Sequence, residues 1–162
     1  MAVNRGKKFE EVIKEAFEKV PNTSVVRLHD QTNGYLGGRN HCDFIVYHKP
    51  LEYHIECKSV HGNTLPFTNI TDNQWEGLLE KSKIKGVVAG VICWWTDKDV
   101  TKFIPIQVLE ALKDCNYKSL RYDYYVLNVD MPIIDIAGKK KRVFFDYDMS
   151  QFLSEVIDSS NV

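Results

Sequence analysis

Cys42-Asp43-Phe44-Ile45-Val46-Tyr47, a turn at His48 to Leu51, and then Glu52-Tyr53-His54-Ile55-Glu56-Cys57-Lys58 read together as a β-hairpin carrying acid groups. Both arms are rich in aromatic and β-branched residues and are bounded by turn signals. With Lys49 and Pro50 at the centre of the turn, Asp43 lies directly opposite Glu56. Opposed residues project to one side with Cβ atoms about 5 Å apart, and the period of two brings Lys58 to that side as well. Two carboxylates and an ammonium therefore converge. A surface strand pair with scattered charges is the competing reading. Like charges facing each other are destabilising, however, unless a divalent cation or the Lys58 ammonium stands between them, and that favours a metal site.

Upstream of the hairpin, residues 29–41 lose all apolar pattern and contain Gly34, Gly37 and Gly38, which marks a loop. It lacks the G-x-x-x-x-G-K spacing of a phosphate cradle. Tyr35 and Arg39 stand close enough in sequence to Asp43 to contact a substrate, although a plain connector explains the segment equally well. Residues 24–28 read as a short strand. Before them, Asn4 is a candidate N-cap, and Phe9, Ile13, Ala16, Phe17 and Val20 recur at helical spacing until Pro21, which predicts an amphipathic helix over residues 5–19. Glu10 falls on the edge of its apolar stripe, near the core boundary; a solvated first-turn glutamate favoured by the helix dipole is the alternative.

Downstream, residues 59–70 are polar, with Pro66. Thr71 or Asp72 then caps a helix with Gln74 in its first turn and Trp75, Leu78, Leu79 and Ile84 facing inward. Residues 86–95 form a continuous apolar run, the pattern of a strand covered on both faces, in which Gly86 and Gly90 mark either close helix packing or small residues in a central strand. Trp94 and Trp95 point to opposite sides of it, and core packing explains them better than base stacking. Phe103-Ile104-Pro105 leads into a helix over 106–113. Residues 123–129 and 133–136 read as strands, residues 137–141 as a basic turn, and Asp148 or Ser150 as the cap of a last helix whose end frays. The expected architecture is α/β: one domain over residues 1–162, with a mixed central sheet flanked by helices.

Composition is ordinarily globular, with 44% hydrophobic and 27% charged residues in 162. No apolar run approaches the roughly 20 residues that span a bilayer, and the N-terminal residues lack a signal-peptide pattern, so the expectation is a cytoplasmic protein with no membrane partner. Cys42, Cys57, Cys93 and Cys115 are widely spaced, with no C-x-x-C and no close His pair of zinc-ligand form, and read as reduced, mostly buried thiols. A net charge of −1 counts against nucleic-acid binding. Against that stand three local basic clusters, Lys7-Lys8, Lys81/Lys83/Lys85 and Lys139 to Arg142, which could reach phosphates if the fold gathers them on one face; each alone reads as solvated surface.

The hairpin triad fits one reaction class best. Mg²⁺ prefers oxygen ligands and is commonly held by one or two carboxylates, which Asp43 and Glu56 supply, with a main-chain carbonyl near Cys57 to complete the set. Such an ion activates water and offsets charge growing on a phosphate, and Lys58 adds a second positive group. Phosphodiester hydrolysis uses all three residues, whereas a glycosidase would leave Lys58 without a task.

Asp43 with Glu56-Cys57-Lys58 resembles the PD-(D/E)XK nuclease motif. More narrowly, residues 4–110 resemble RecU-type Holliday junction resolvases, through Asn4-Arg5-Gly6-Lys7-Lys8-Phe9-Glu10, Asp43, Glu56-Cys57-Lys58, Thr64-Leu65-Pro66, Asn69-Ile70, Gln74 and the strand followed by Phe103-Ile104-Pro105. The resemblance implies a restriction-endonuclease-like fold, Asp43 and Glu56 as metal ligands, Lys58 as the catalytic lysine, Glu10 as a supporting acid and Gln74 beside the active site. It also implies Mg²⁺ or Mn²⁺ and a homodimer nicking opposite strands of a branched DNA. Apart from the resemblance, Arg5, Lys7 and Lys8 with Tyr35 and Arg39 are the candidate DNA contacts. Position 42 is Cys where the motif's name has proline, and only the loop at residues 34–40 stands where such resolvases insert a stalk, which points to a compact, phage-type version in a bacterial cell or infected host. A PD-(D/E)XK endonuclease acting on duplex DNA in repair or restriction, and a non-catalytic DNA-binding module, are the alternatives; no recognition domain or helix-turn-helix accompanies the motif.

Overall fold

The computed structural model describes residues 4–29, 40–125 and 129–160. The first helix, α1 (Arg5–Glu18), starts where the N-cap expectation puts it, with the Lys7 amide donating to Asn4 Oδ1 at 3.3 Å. Strands β1 (Thr23–Arg27), β2 (Phe44–His48) and β3 (Leu51–Val60) follow. The next elements are β4 (Thr64–Pro66), a 3₁₀ turn at Phe67–Asn69 and α2 (Asp72–Ser82). Then come β5 (Val87–Trp95), β6 (Val100–Pro105), α3 (Ile106–Asp114) and β7 (Ser119–Arg121). The chain closes with β8 (Ile134–Asp135), β9 (Gly138–Lys140), β10 (Phe145–Tyr147) and α4 (Met149–Ser160).

Six strands form one sheet in the order β1-β2-β3-β5-β6-β8. The β3–β5 pair is parallel and the other neighbours are antiparallel, so the sheet is mixed, as expected. The hairpin register is also as expected: Phe44 pairs with Ile55 and His48 with Leu51, around Lys49 and Pro50. Period-two alternation sorts the strands into two cores. Tyr53, Ile55, Val88, Ile92, Trp94 and Phe103 face α1 and α4. Val60, Val91, Cys93, Trp95 and Ile104 face α2 and α3. Trp94 and Trp95 are both buried, one in each core, which confirms packing as their role.

Four sequence expectations need correction. Residues 59–70 are not merely a connector, because β3 runs on to Val60 and β4 pairs with β7. Ile84 is 51% exposed: α2 ends at Ser82, so helical phase no longer applies two residues later. Residues 123–125 and 129 are not in a strand. The alternating aromatics instead pack a loop, with Tyr122 and Tyr124 against the α3 core and the Arg121 guanidinium clasping the Asp123 carboxylate. Residues 138–140 form β9 rather than a turn, and the bend lies after them, closed by the Lys141 amide on the Phe144 carbonyl at 2.8 Å. The last helix is capped by Asp148, whose Oδ1 accepts from the Ser150 and Gln151 amides, and it stays helical to Ser160. No helix among the described residues is long and apolar enough to cross a membrane.

Gly90 shows what its position in a central strand requires. A Cβ there would overlap the Ile104 carbonyl and press on the Phe103 ring, so it is close strand and ring packing, not a helix, that demands glycine. Gly90→Ala is expected to cost about 1–3 kcal/mol, as overpacking of a filled core does, read as a lowered urea midpoint; an unchanged midpoint would show the sheet relaxing freely there.

Candidate active site

Asp43 sits one residue before β2 and extends its ladders by one rung. Its amide donates to the Ile55 carbonyl and its carbonyl accepts from the Leu28 amide, both at 2.9 Å. The side chain adds a third link, because Asp43 Oδ2 accepts from the Cys57 amide at 2.8 Å. The carboxylate is thereby held across from Glu56, on the α2 side of β3. Glu56 is only 4% exposed, and its Oε2 accepts from Lys58 Nζ and from Gln74 Nε2, each at 3.1 Å.

Gln74 reaches Glu56 while closing a capping box. Its amide donates to Thr71 Oγ1 at 3.2 Å, and its own Oε1 accepts from the Thr71 amide at 3.1 Å. Both ends of one side-chain amide are thus engaged, the oxygen on the helix start and the nitrogen on the acid. That bond sets the Gln74 side chain against the Glu56 carboxylate.

Burial sets the electrostatics. It pushes Glu56 up to about 8, the facing Asp43 charge adds to the rise, and Lys58 opposes it. Asp43 is also raised by burial, while the Cys57 amide, a hydrogen bond with Glu56 and the Lys58 and Arg27 charges pull it back. The hydrogen bond between them raises Glu56 and lowers Asp43, so the two acids hold a proton more tightly together than either would in water. Two acids packed this tightly compete for one charge, and a divalent cation between them would let both ionise.

Glu10 is half-buried on α1 and its Oε2 accepts from Arg27 at 2.9 Å. Arg27, on β1, pairs in register with Phe44, so it stands next to Asp43 on the neighbouring strand, and its charge acts on the Asp43 carboxylate. Glu10 therefore bonds to an arginine of the site. Arg27 was not singled out in the sequence, because the β1–β2 register that places it is not written in any local pattern.

The basic residues divide. Arg5, Lys7 and Lys8 are exposed on the first turns of α1. Lys8 lines a cavity of about 350 Å³ with Lys19, Lys141 and Arg142, so α1 and the β9–β10 hairpin do bring two basic clusters together. Residues two apart on a helix point about 200° apart, which puts Lys8 on the flank of α1 away from Glu10. Lys81, in the last turn of α2, lies elsewhere. Tyr35 and Arg39 lie outside the described residues.

A second polar cluster adjoins the acids. His41 Nε2 and His54 Nδ1 are 2.6 Å apart, His54 Nε2 meets Glu52 Oε1 at 2.7 Å, and the Cys42 thiol lies beside both rings. Burial lowers the His41 pKa, with the His54 and Lys81 charges adding to the fall, and burial pushes the Cys42 thiol up to about 12. The four cysteines are free; Cys42, Cys57 and Cys93 are buried as expected, whereas Cys115 is exposed. The absence of a close His pair, true along the sequence, does not hold in space, where two imidazoles thirteen positions apart meet.

No family model and no curated protein matches the chain. Among solved structures it is similar to Hjc of Archaeoglobus fulgidus, a Holliday junction resolvase from an archaeal hyperthermophile, at a TM-score of 0.46 and 19% identity, over 64% of this chain and 75% of that one.

The raised Glu56 value has a testable sign. Between the ordinary 4.5 and about 8 the folded chain holds a proton that the unfolded chain has released, so stability is full below 4.5 and falls as pH rises through the window. Without divalent metal, the melting temperature of Glu56→Gln minus that of the wild type is expected to widen steadily from pH 4.5 to 8. A constant difference would mean that Glu56 ionises normally in the fold.

Proposed function

We propose that the chain is a metal-dependent endodeoxyribonuclease of the PD-(D/E)XK kind, with a restriction-endonuclease-like fold, that resolves four-way DNA junctions by paired nicks. The observation that carries this reading is the buried Asp43–Glu56 pair with Lys58 bonded to it. A solvated charge cluster has no need of 4% exposure, a helix-cap glutamine on one oxygen and an ammonium on the same oxygen.

The donor set fits a hard divalent cation such as Mg²⁺, with Mn²⁺ able to substitute: Asp43 and Glu56 would supply carboxylate oxygens and Cys57 a main-chain carbonyl. When bound, the ion supplies a lowered pKa for water and positive charge against the phosphate. The rest is done by the chain. The Cys57 amide fixes the Asp43 oxygen, and Gln74 fixes the Glu56 oxygen, so neither carboxylate has to be ordered when substrate arrives. Lys58 holds its ammonium where charge would build on a phosphate oxygen or on an attacking water. Arg27 takes the Glu10 carboxylate and contributes positive potential at Asp43.

Two symmetric nicks call for two copies of one site related by a two-fold axis, which supports a homodimer. Arg5, Lys7 and Lys8, with Tyr35 and Arg39, are the proposed DNA contacts; the compact, stalkless chain fits a phage-type enzyme. Cutting of ordinary duplex is the second reading, favoured because only the sequence at residues 34–40 stands where such resolvases carry a stalk.

Purified protein incubated with a labelled four-way junction and Mg²⁺ is expected to produce paired nicks and to leave linear duplex intact; equal cutting of both would replace junction resolution by the second reading. Asp43→Asn is expected to lower cleavage on the order of 10²–10³-fold or more, as the loss of a charge-stabilising contact does, while junction binding in a gel-shift assay is retained. Undiminished cleavage by that variant would exclude this site.

A further inference from the structure

The cluster next to the acids is built differently from them. Its potential donors are His41 Nε2, His54 Nδ1 and Cys42 Sγ, which all lie within 4.8 Å of one another. The rings stack with centroids 4.9 Å apart and planes at 28°. His54 has 3% of its side chain exposed, and Glu52, at 45%, accepts from the ring at the end away from the cluster. A carboxylate has no proton to give, so with neutral imidazoles Glu52 fixes N–H on Nε2 of His54 and leaves a lone pair on Nδ1, pointing at His41. That is the carboxylate–histidine arrangement that orients a metal-binding imidazole.

The place for His41 is made by α2. Gly77 lies in mid-helix, where glycine costs about 1 kcal/mol relative to alanine, and any Cβ there would overlap His41 Cβ. The fold thus accepts a weaker helix to seat this imidazole against the other two donors.

We propose that His41, Cys42 and His54 form a second metal site, for zinc or a metal of similar softness, distinct from the all-oxygen pair at Asp43 and Glu56. Tetrahedral bonds of about 2.0–2.3 Å place donor atoms about 3.3–3.7 Å apart, so the two nitrogens must open from their 2.6 Å hydrogen bond by less than about 1 Å. On binding, Cys42 releases its thiol proton to solvent, His41 moves its ring proton from Nε2 to Nδ1, and His54 keeps Nε2–H on Glu52. Three protein donors leave a fourth position for water. The metal would tie the chain entering β2 to the middle of β3, directly beside Asp43. This site does not depend on the nuclease reading.

The test is a titration of chelator-treated protein with Co²⁺, followed by absorption. Wild type is expected to bind one equivalent with a thiolate-to-cobalt charge-transfer band. Cys115→Ser, and the double variant Asp43→Asn/Glu56→Gln, are expected to keep the band. Cys42→Ala is expected to lose it. Glu52→Ala, at an exposed position that does not threaten folding, is expected to weaken affinity about 10–100-fold, as loss of an orienting partner does. No charge-transfer band in wild type, a band that survives Cys42→Ala, a band that disappears with Cys115→Ser, or unchanged affinity in Glu52→Ala would each overturn the proposal.

Discussion

One hydrogen bond organises the acidic edge of the sheet: the Cys57 amide on Asp43 Oδ2, at 2.8 Å. The regular register of β2 with β3 ends at Phe44 and Ile55; the Asp43 amide adds one bond to the Ile55 carbonyl, and the Asp43 side chain supplies the next rung. Had Asp43 been a leucine, the Cys57 amide would need another acceptor in a buried strand, at a cost of about 1–3 kcal/mol if none were found. The bond that satisfies the backbone therefore also aims the acid. Because it leaves the second carboxylate oxygen uncommitted to the backbone, structure and reactivity are served by different atoms of one side chain.

Glu56 is held by the opposite logic. It is on a strand flanked by neighbours on both sides, and the two donors on its Oε2, Gln74 and Lys58, are side chains. Gln74 belongs to the start of α2 and Lys58 to the next position on the same face of β3. A helix-cap glutamine and a strand lysine converge on one oxygen, while burial raises the pKa of the acid. Such an acid resembles a drawn spring in electrostatic terms: it is protonated while alone and becomes a strong ligand as soon as a compensating charge displaces that proton.

Much of this was legible beforehand because hairpin register follows from a short turn and alternation, and both were present between Asp43 and Lys58. The helix faces, the capping by Asn4, Thr71 and Asp148, and the opposed tryptophans are likewise local patterns. What was not legible depends on contacts that no window contains. Arg27 stands beside Asp43 through the register of β1 against β2, two strands far apart in sequence. His41 and His54 meet because one precedes β2 and the other lies in β3, and Gly77 comes from a third element to make room. Tyr122 and Tyr124 alternate as a strand would, yet both pack against the α3 core from a turn after β7 rather than from a strand.

β3 carries an antiparallel partner on one side and a nine-residue parallel partner on the other. Sliding it by one residue would send Glu56 and Lys58 to the opposite face and break both ladders at once. Partial opening of the molecule should begin instead at elements with short pairings, such as β8 or the β9–β10 hairpin, since local opening is cheapest where few bonds hold. The acids would then keep their mutual geometry through most fluctuations of the native ensemble and lose it only with the fold itself. Amide exchange along β3 would report global unfolding, so that damage to stability anywhere in the chain reaches the chemistry late and all at once.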